Sequence, residues 1–218
     1  MRTTIGTPKA RERLTRDRVI DAALVIMDTE GLEAVTMRRV AREVGVEAMS
    51  LYNHVHDKDD LLQGIRLRVF EAFGYPVLTE DDPFENGRRI ARAWRDLMNA
   101  HPQMLELLAE DHGPPDSLEA LRPMEIALAV LRSIGVPEEE VMQVFHAFGG
   151  YIQGSVMMER QMSFDKHGGL AELAGRIDAA EFPCVVAALP YMAGCDLEQQ
   201  FELGLDLMLD GMRARYGA

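Results

Sequence analysis

Residues 36–62 read TMRRVAREVGVEAMSLYNHVHDKDDLL, and this stretch decides the architecture of the first part of the chain. Thr36 is a suitable N-cap for a short helix that runs to Val44. Gly45 supplies the backbone freedom that a tight turn needs directly after this helix. A third helix, from Glu47 to His54, must then follow at once, so the stretch predicts two short helices joined by a turn.

Longer helices are predicted on both sides of this stretch. Residues 15–30 repeat apolar side chains at the spacing of one helical face, begin with a capping threonine and end before Gly31. Asp57 opens another helix that continues toward Tyr75, where Pro76 stops it. The N-terminal part is therefore a three-helix unit followed by a connecting helix.

The predicted third helix has one apolar face and one face of groups that can contact DNA. Leu51 and Val55 are expected to point inward. The outward positions are Ala48, Met49, Ser50, Tyr52, Asn53 and His54. Because a helix fits the width of the DNA major groove, this segment is predicted to be the recognition helix of a helix-turn-helix.

The pattern resembles the TetR family of bacterial repressors. The matching features are Glu30-Gly31, Thr36 before the second helix, Val44-Gly45-Val46, Leu51-Tyr52-x-His54 and the helix start from Lys58 to Leu62. The resemblance implies that Tyr52 and His54 touch phosphates and that Lys58 holds the DNA backbone. It also implies that Arg38 reaches a base edge or a phosphate, while Thr36 caps its helix.

The base-reading positions differ from those of the tetracycline repressors. Those proteins carry glutamine and proline where this sequence has Ala48 and Met49, so their operator cannot be transferred to this chain. Ala48 and Met49 can contact thymine methyls, and Ser50 can bond to a base or a phosphate. We expect modest direct readout supplemented by DNA shape. Packing remains the alternative role for Tyr52, and Arg39 and Arg42 are expected to be solvated.

The charge is unevenly distributed along the 218 residues. The net charge is −13, yet residues 1–58 hold ten of the 23 Lys and Arg but only nine of the 36 Asp and Glu. Six bases fall in the first 18 residues: Arg2, Lys9, Arg11, Arg13, Arg16 and Arg18. Residues 1–14 are therefore predicted to be a basic flexible arm, either beside phosphates or as a solvated tail.

The rest of the chain is predicted to be helical, which makes the protein all-α. Helices are expected at 84–100, 104–109, 117–134, 137–162, near 178–188 and at 197–216. The predicted domains are the arm, the helix-turn-helix domain at 15–58, the connecting helix at 59–76 and a larger ligand-binding and dimerisation domain at 77–218.

Two long apolar segments, 141–156 and 201–212, are rich in small residues that allow helices to approach closely. They resemble the two helices that build the dimeric four-helix bundle of tetracycline-type TetR repressors. A single short recognition helix makes few contacts, so a two-fold symmetric homodimer on a palindrome is expected. The predicted dimer interface is Phe148, Ile152, Leu205, Met208, Leu209 and Met212.

A pocket for a small apolar effector is predicted between the C-terminal helices, where methionines can shape an adaptable wall. The residues placed around it are Trp94, His101, Met104, His112, Met124, Phe145, His146 and Gly149. Plain core packing is the alternative for each of them. Asp111 to Pro115 lacks the threonine and arginine of the tetracycline repressors' magnesium turn, so an effector other than magnesium-tetracycline is expected. The sequence has no compact spacing of metal ligands, and no metal or cofactor is expected.

Other functional classes find little support in the sequence. No apolar run reaches the ~20 residues of a membrane span, and two cysteines do not form a disulfide framework. A cytoplasmic, non-enzymatic regulator is therefore expected, with double-stranded operator DNA and an unidentified small molecule as partners. The alternatives are an all-α enzyme or small-molecule carrier with a vestigial head, an activator, or a regulator that senses no ligand.

Overall fold

The computed structural model describes residues 13–79, 82–109, 118–161, 174–192 and 196–217. These residues form helices, turns and connections without any β-strand, which confirms the all-α class. The chain divides into two compact units, Met1–Ala72 with Glu106–Ala120 and Phe73–Leu105 with Leu121–Ala218. In the described ranges, no helix is long and apolar enough to cross a membrane.

The first unit carries the predicted three-helix head and the helix that follows it. Its elements are α1 (Arg16–Glu30), a 3-10 turn (Leu32–Ala34), α2 (Met37–Val44), α3 (Ala48–Leu51) and α4 (Lys58–Ala72). Thr15 caps α1 and Thr36 caps α2, each accepting a hydrogen bond from a backbone N–H three residues on. Gly45 ends α2 with a φ of +74°, a left-handed conformation that glycine adopts without steric cost.

The apolar faces of these helices form the core of the head. Its buried members include Val19, Ala23, Ile26, Met27, Val40, Leu51, Leu61, Leu62 and Ile65. Helices α1 and α4 approach closely at Gly64, where an added Cβ would lie 2.6 Å from Cδ1 of Ile20. The absence of a side chain at residue 64 therefore sets the spacing of this helix pair.

The second unit is built mainly from four packed helices. The elements that follow α4 along the chain are α5 (Pro83–Ala100), α6 (Met104–Ala109), a 3-10 turn (Leu118–Leu121), α7 (Arg122–Ile134), α8 (Val141–Gln161), α9 (Pro183–Met192) and α10 (Leu197–Tyr216). Most of α6 and of the 3-10 turn lie in Glu106–Ala120, which belongs to the first unit. The core lies among α5, α7, α8 and α10 and contains Phe84, Ala91, Val130, Leu131, Ile134, Phe148, Ile152, Phe201, Leu205, Leu209 and Met212. Both units are therefore helical in the described residues.

One buried cation joins three of these helices. Arg95 of α5 is 8% exposed and pairs with Glu159 of α8 (2.7 Å) and with Glu198 of α10. Its guanidinium also lies 4.7 Å from the centroid of the Phe201 ring. Because a buried charge is costly unless it is paired, these contacts fix the relative positions of the three helices.

Several predicted helix boundaries are wrong, and proline explains most of them. Helix α4 ends at Ala72 instead of continuing toward Tyr75. Tyr75 precedes a proline, which disfavours helical backbone at that position. The helices predicted to start at 117, 137 and 178 start at Arg122, Val141 and Pro183. In the first and third of these cases a proline lies in the opening turn, where its missing N–H costs nothing.

The residues predicted to form the dimer interface lie in or against the core of the single chain. Five of the six, namely Phe148, Ile152, Leu205, Leu209 and Met212, are buried in the core of a single chain, and Met208 packs against that core. They consequently offer almost no surface to a second protein. The sequence period identifies an apolar stripe on each helix, but α8 and α10 each have a second, exposed stripe of apolar and small residues.

Helices α8 and α10 meet at a glycine. Tyr151 stacks on Phe201 with ring centroids 5.8 Å apart, and its hydroxyl donates a hydrogen bond to the Phe201 carbonyl (2.6 Å). A Cβ on Gly204 would lie 2.7 Å from ring atoms Cε2 and Cζ of Tyr151. The ring is held on both sides, so it has little freedom to move away.

We expect Gly204→Ala to lower the free energy of unfolding by about 1–3 kcal/mol because it overpacks the Tyr151 contact. Gly149→Ala is the matched control, since a Cβ there would meet no described atom within 4 Å. The control should gain up to about 1 kcal/mol of helix propensity. Thermal and urea unfolding followed by circular dichroism measures both changes, and equal stability of the two variants would contradict the close contact.

Candidate nucleic-acid interface and sensor residues

The recognition segment follows the predicted division into inward and outward residues. Leu51 and Val55 are buried, whereas Met49 is 74% exposed. Tyr52 and Asn53 are exposed, and Ala48, Ser50 and His54 are half-buried. The regular helix α3 is shorter than predicted, because it ends at Leu51 and the chain continues as a turn through His54.

Three further predicted DNA contacts lie on neighbouring elements. Arg38 on α2 and Lys58 at the start of α4 are exposed. Thr36 is exposed too, but its hydroxyl accepts the Arg39 N–H at 3.1 Å, so it is engaged in capping α2. The side chains predicted to touch DNA are therefore accessible, and none of them belongs to the buried core.

Arg39 is not simply solvated, contrary to expectation. Its Nε donates to both carboxylate oxygens of Glu30 (3.1 Å each), and Nη1 donates to Glu43 (2.7 Å). The hydrogen bonds from Arg39 lower the pKa of the Glu30 carboxyl below its usual value. Arg39 thus joins the end of α1 to α2, and its charge is shared with acids of the head.

Arg16 has a similar place at the other end of the head. Its Nη1 donates to the His54 carbonyl (3.0 Å) and to Asp60 Oδ2 (2.9 Å), while Nη2 pairs with Asp60 Oδ1. Asp60 Oδ2 also accepts the backbone N–H of His56 at 2.7 Å. The sequence analysis counted Arg16 only as one of six bases in the first 18 residues, because no local pattern links residues 44 positions apart.

The predicted sensor residues are spread over several environments. Met104 is buried; Trp94, His101, Phe145 and Gly149 are half-buried; Met124 and His146 are exposed. His112 and residues 1–12 of the arm lie outside the described residues. Phe145 and His146 are in ring contact at 5.6 Å, and Trp94 meets Phe73 edge to face at 6.0 Å.

The sequence missed the aromatic residues that follow α4. Phe73 contacts Trp94 and also Tyr75, at 5.0 Å between centroids. Both belong to the second unit, although they follow directly on the last residue of α4. Among the described side chains, no group of three or more His, Cys, Asp or Glu could hold a metal ion.

Two protein families match this chain. The tetR family of bacterial regulatory proteins matches residues 19–65, and the tetracyclin repressor-like C-terminal domain matches residues 75–216. The chain belongs to the TetR family. Its helix-turn-helix head and helical C-terminal unit are thus those of a DNA-binding transcriptional repressor, as the sequence indicated.

Named relatives agree with this assignment. The HTH-type transcriptional repressor DrrR1 of Streptomyces coeruleorubidus is 29% identical over 91% of this chain and 77% of its own length. The class E tetracycline repressor protein of Escherichia coli is 26% identical, over 93% and 92% of the two chains. The structure of Streptomyces coelicolor ActR in complex with actinorhodin superposes with a TM-score of 0.80 at 27% identity, covering 94% and 97%.

Proposed function

We propose that this TetR protein is a ligand-responsive repressor. As a homodimer it binds a palindromic operator, and a small apolar effector in the C-terminal unit releases it. The observation that carries the proposal is the recognition segment, whose polar and apolar DNA-reading groups are accessible while Leu51 and Val55 anchor it.

The head divides into residues that hold the DNA backbone and residues that read bases. Lys58, Tyr52 and His54 carry groups that contact phosphates without regard to sequence. Met49 and Ser50 lie at the start of α3, which is the part of a recognition helix that meets base edges. Arg16 and Arg39 are engaged with carboxylates, whereas Arg38 and Lys58 are exposed and are the cations that we propose meet DNA.

We expect Tyr52→Ala and Lys58→Ala to weaken binding to operator and to random DNA by similar factors, since phosphate contacts carry no sequence information. Met49→Ala and Ser50→Ala should instead change the preference between the two DNAs, by about 1–3 kcal/mol where a base contact is lost. Fluorescence anisotropy with a duplex from the protein's own promoter region measures both effects.

Glu33→Ala serves as the control, because Glu33 is exposed in the 3-10 turn and outside the recognition segment. Identical preference profiles for all four variants would contradict this division of roles. The absence of any salt-sensitive, sequence-dependent binding by the wild-type chain would contradict the proposed function itself.

A surface for dimerisation is present on α8 and α10. Each helix has a second stripe of apolar and small residues that faces away from the core. The members are Ala147, Gly150, Gly154 and Met157 on α8, and Leu203, Leu207, Gly211 and Ala214 on α10; all are exposed except the half-buried Gly154. Their spacing of three or four residues places each set on one side of its helix.

The two stripes lie side by side. On each helix, the residue at the α8–α10 contact lies between the buried core face and the exposed stripe when positions are followed around the helix axis. Tyr151 and Gly204 mark that contact, so both stripes flank it on the outer side. A second copy of the chain is the occupant that fits, because small residues allow two such helix pairs to pack as four helices.

We expect Leu207→Asp to convert the dimer to a monomer, because it places an uncompensated charge on the apolar stripe. Leu207 is 67% exposed in the single chain, so the substitution should leave the fold intact. Sedimentation velocity distinguishes the dimer from the monomer. Leu118→Asp is the matched control, since Leu118 is 85% exposed and lies outside the stripe; an unchanged dimer in the Leu207 variant would exclude this face.

The proposed effector is an apolar molecule with aromatic rings. Trp94 and Phe145 pack at the margin of the second unit's core, where aromatic faces favour stacked or edge-on ring partners. Gly149 lies one turn after Phe145 on α8, next to space that holds no described atom within 4 Å. The similarity to ActR, whose structure was obtained with actinorhodin, supports a ligand of this kind.

Actinorhodin is the probe we choose for the effector. Trp94 is the only tryptophan of the chain, so quenching of its fluorescence reports binding close to it. We expect quenching to accompany release of the protein from promoter DNA. Gly149→Leu should abolish both effects by filling the space beside α8 while leaving DNA affinity unchanged.

Free tryptophan titrated in parallel corrects for light absorbed by the probe. A Gly149→Leu variant that still binds actinorhodin with full affinity would contradict the proposed location. Release by magnesium-tetracycline, with no response to actinorhodin, would contradict the proposed effector class.

A further inference from the structure

The guanidinium of Arg16 joins three segments of the DNA-binding head. We infer that Arg16 is a positioning residue for DNA recognition, which acts by holding the turn at residues 54–56 and the start of α4 in place. It does not itself neutralise a phosphate. This assignment goes beyond the DNA contacts proposed above and rests on DNA binding by the head.

The contacts of Arg16 converge on the turn that leads out of the recognition segment. Arg16 donates to the His54 carbonyl, and its partner Asp60 accepts the His56 N–H. The backbone is therefore held on both sides of Val55, which is itself buried. One side chain from α1 thus fixes the end of the recognition segment.

Asp60 completes the arrangement from α4. Its carboxylate side chain is only 11% exposed and accepts from Arg16 through both oxygens, while its backbone N–H donates to Asp57 Oδ1 at 2.9 Å. The hydrogen bond from Arg16 holds the pKa of Asp60 below its usual value, so the pair is ionised at neutral pH. Charge-assisted bidentate pairs of this kind have a defined geometry.

The position of the pair relates it to the proposed phosphate contacts. His54 donates no side-chain group to the pair but is bound through its carbonyl, which leaves its imidazole available. Lys58 lies two residues before Asp60 in the first turn of α4. Movement of this turn would shift both His54 and Lys58 relative to the DNA backbone.

Electrostatics and positioning predict opposite results for Asp60. A carboxylate close to DNA repels phosphates, so its removal should tighten binding if long-range charge alone mattered. If the pair holds the turn, its removal should weaken binding although the head becomes less acidic. The sign of the change at Asp60 therefore separates the two explanations.

The test uses the full chain and a duplex from its own promoter region, with anisotropy measured between about 50 and 200 mM salt. We expect Arg16→Ala and Asp60→Asn each to weaken binding about tenfold or more with an unchanged slope of log K against log salt. Lys58→Ala should reduce that slope by about 0.9, the value for one lost phosphate contact. Binding by the wild-type chain in the same series separates failure of this inference from failure of the proposed function.

Arg68→Ala is the matched control. Arg68 also joins α4 to α1, through Asp17 (2.9 Å) and Asp21 (3.1 Å), and its loss also removes one positive charge. It contacts neither residue 54 nor residue 56 in the described structure. We expect this variant to bind DNA within about twofold of the wild type, since only a surface ion pair is lost.

A charge exchange provides the second variant. Arg16→Asp combined with Asp60→Arg keeps the net charge and allows the ion pair to re-form. The exchanged side chains cannot donate to the His54 carbonyl from residue 16 or accept the His56 N–H at residue 60, so we expect this variant to stay about tenfold or more weaker than the wild type. Circular dichroism melts confirm that each variant is folded at the assay temperature. If a single variant is unfolded, the DNA affinities of the exchanged pair and of Arg68→Ala are compared instead. Weak binding by the exchanged pair together with near wild-type binding by Arg68→Ala supports the inference.

Four outcomes would overturn the inference. The first is a slope of log K against log salt that is reduced by about 0.9 in Arg16→Ala, which would make Arg16 a phosphate contact. The second is tighter DNA binding by Asp60→Asn. The third is an equal loss of affinity in Arg68→Ala, which would indicate general loosening of α1 and α4. The fourth is an exchanged pair that regains wild-type affinity, which would show that the ion pair is sufficient without its hydrogen bonds to residues 54 and 56.

Discussion

A helix of four residues cannot hold itself together in water, and this constraint governs the DNA-binding head. Helix α3 is that short, well below the length at which isolated helices become stable. Its conformation therefore depends on what surrounds it. Leu51 and Val55 hold this segment through their burial in the core of the head, and the Arg16–Asp60 pair holds the turn that follows it. The exposed face of the recognition segment is therefore accessible to DNA.

The same reasoning explains how an acidic protein can carry a DNA-binding surface. Nearly equal numbers of acids and bases occupy residues 1–58, but they have different tasks. Arg16 and Arg39 are paired with carboxylates and stabilise helix contacts, whereas Arg38 and Lys58 are exposed near the recognition segment. The local arrangement of charge matters more for DNA binding than the net charge of the chain. At about 0.1 M salt, exposed charges that are more than about 10 Å apart are largely screened from each other.

The C-terminal unit depends on tightly constrained contacts between its long helices. The absence of a side chain at Gly204 leaves room for the Tyr151 ring. Buried Arg95 of α5 forms ion pairs with one glutamate on α8 and one on α10. Because the inner faces of α8 and α10 are buried in this core, the outer stripes are the apolar faces that these two helices leave exposed. In the proposed function, an effector would shift this core between discrete packings, since close-packed interiors resist gradual deformation.

The sequence by itself determined the all-α class, the helix-turn-helix and the family, because these depend on local signals. Capping threonines, Gly45 and the 3.6-residue period act within a few positions of one another. Only the tertiary structure decided which apolar stripe of α8 and α10 is buried, and that Arg16 pairs with Asp60. Those features join residues far apart in sequence, as Arg16 and Asp60 are, and a periodic pattern contains no record of its partner.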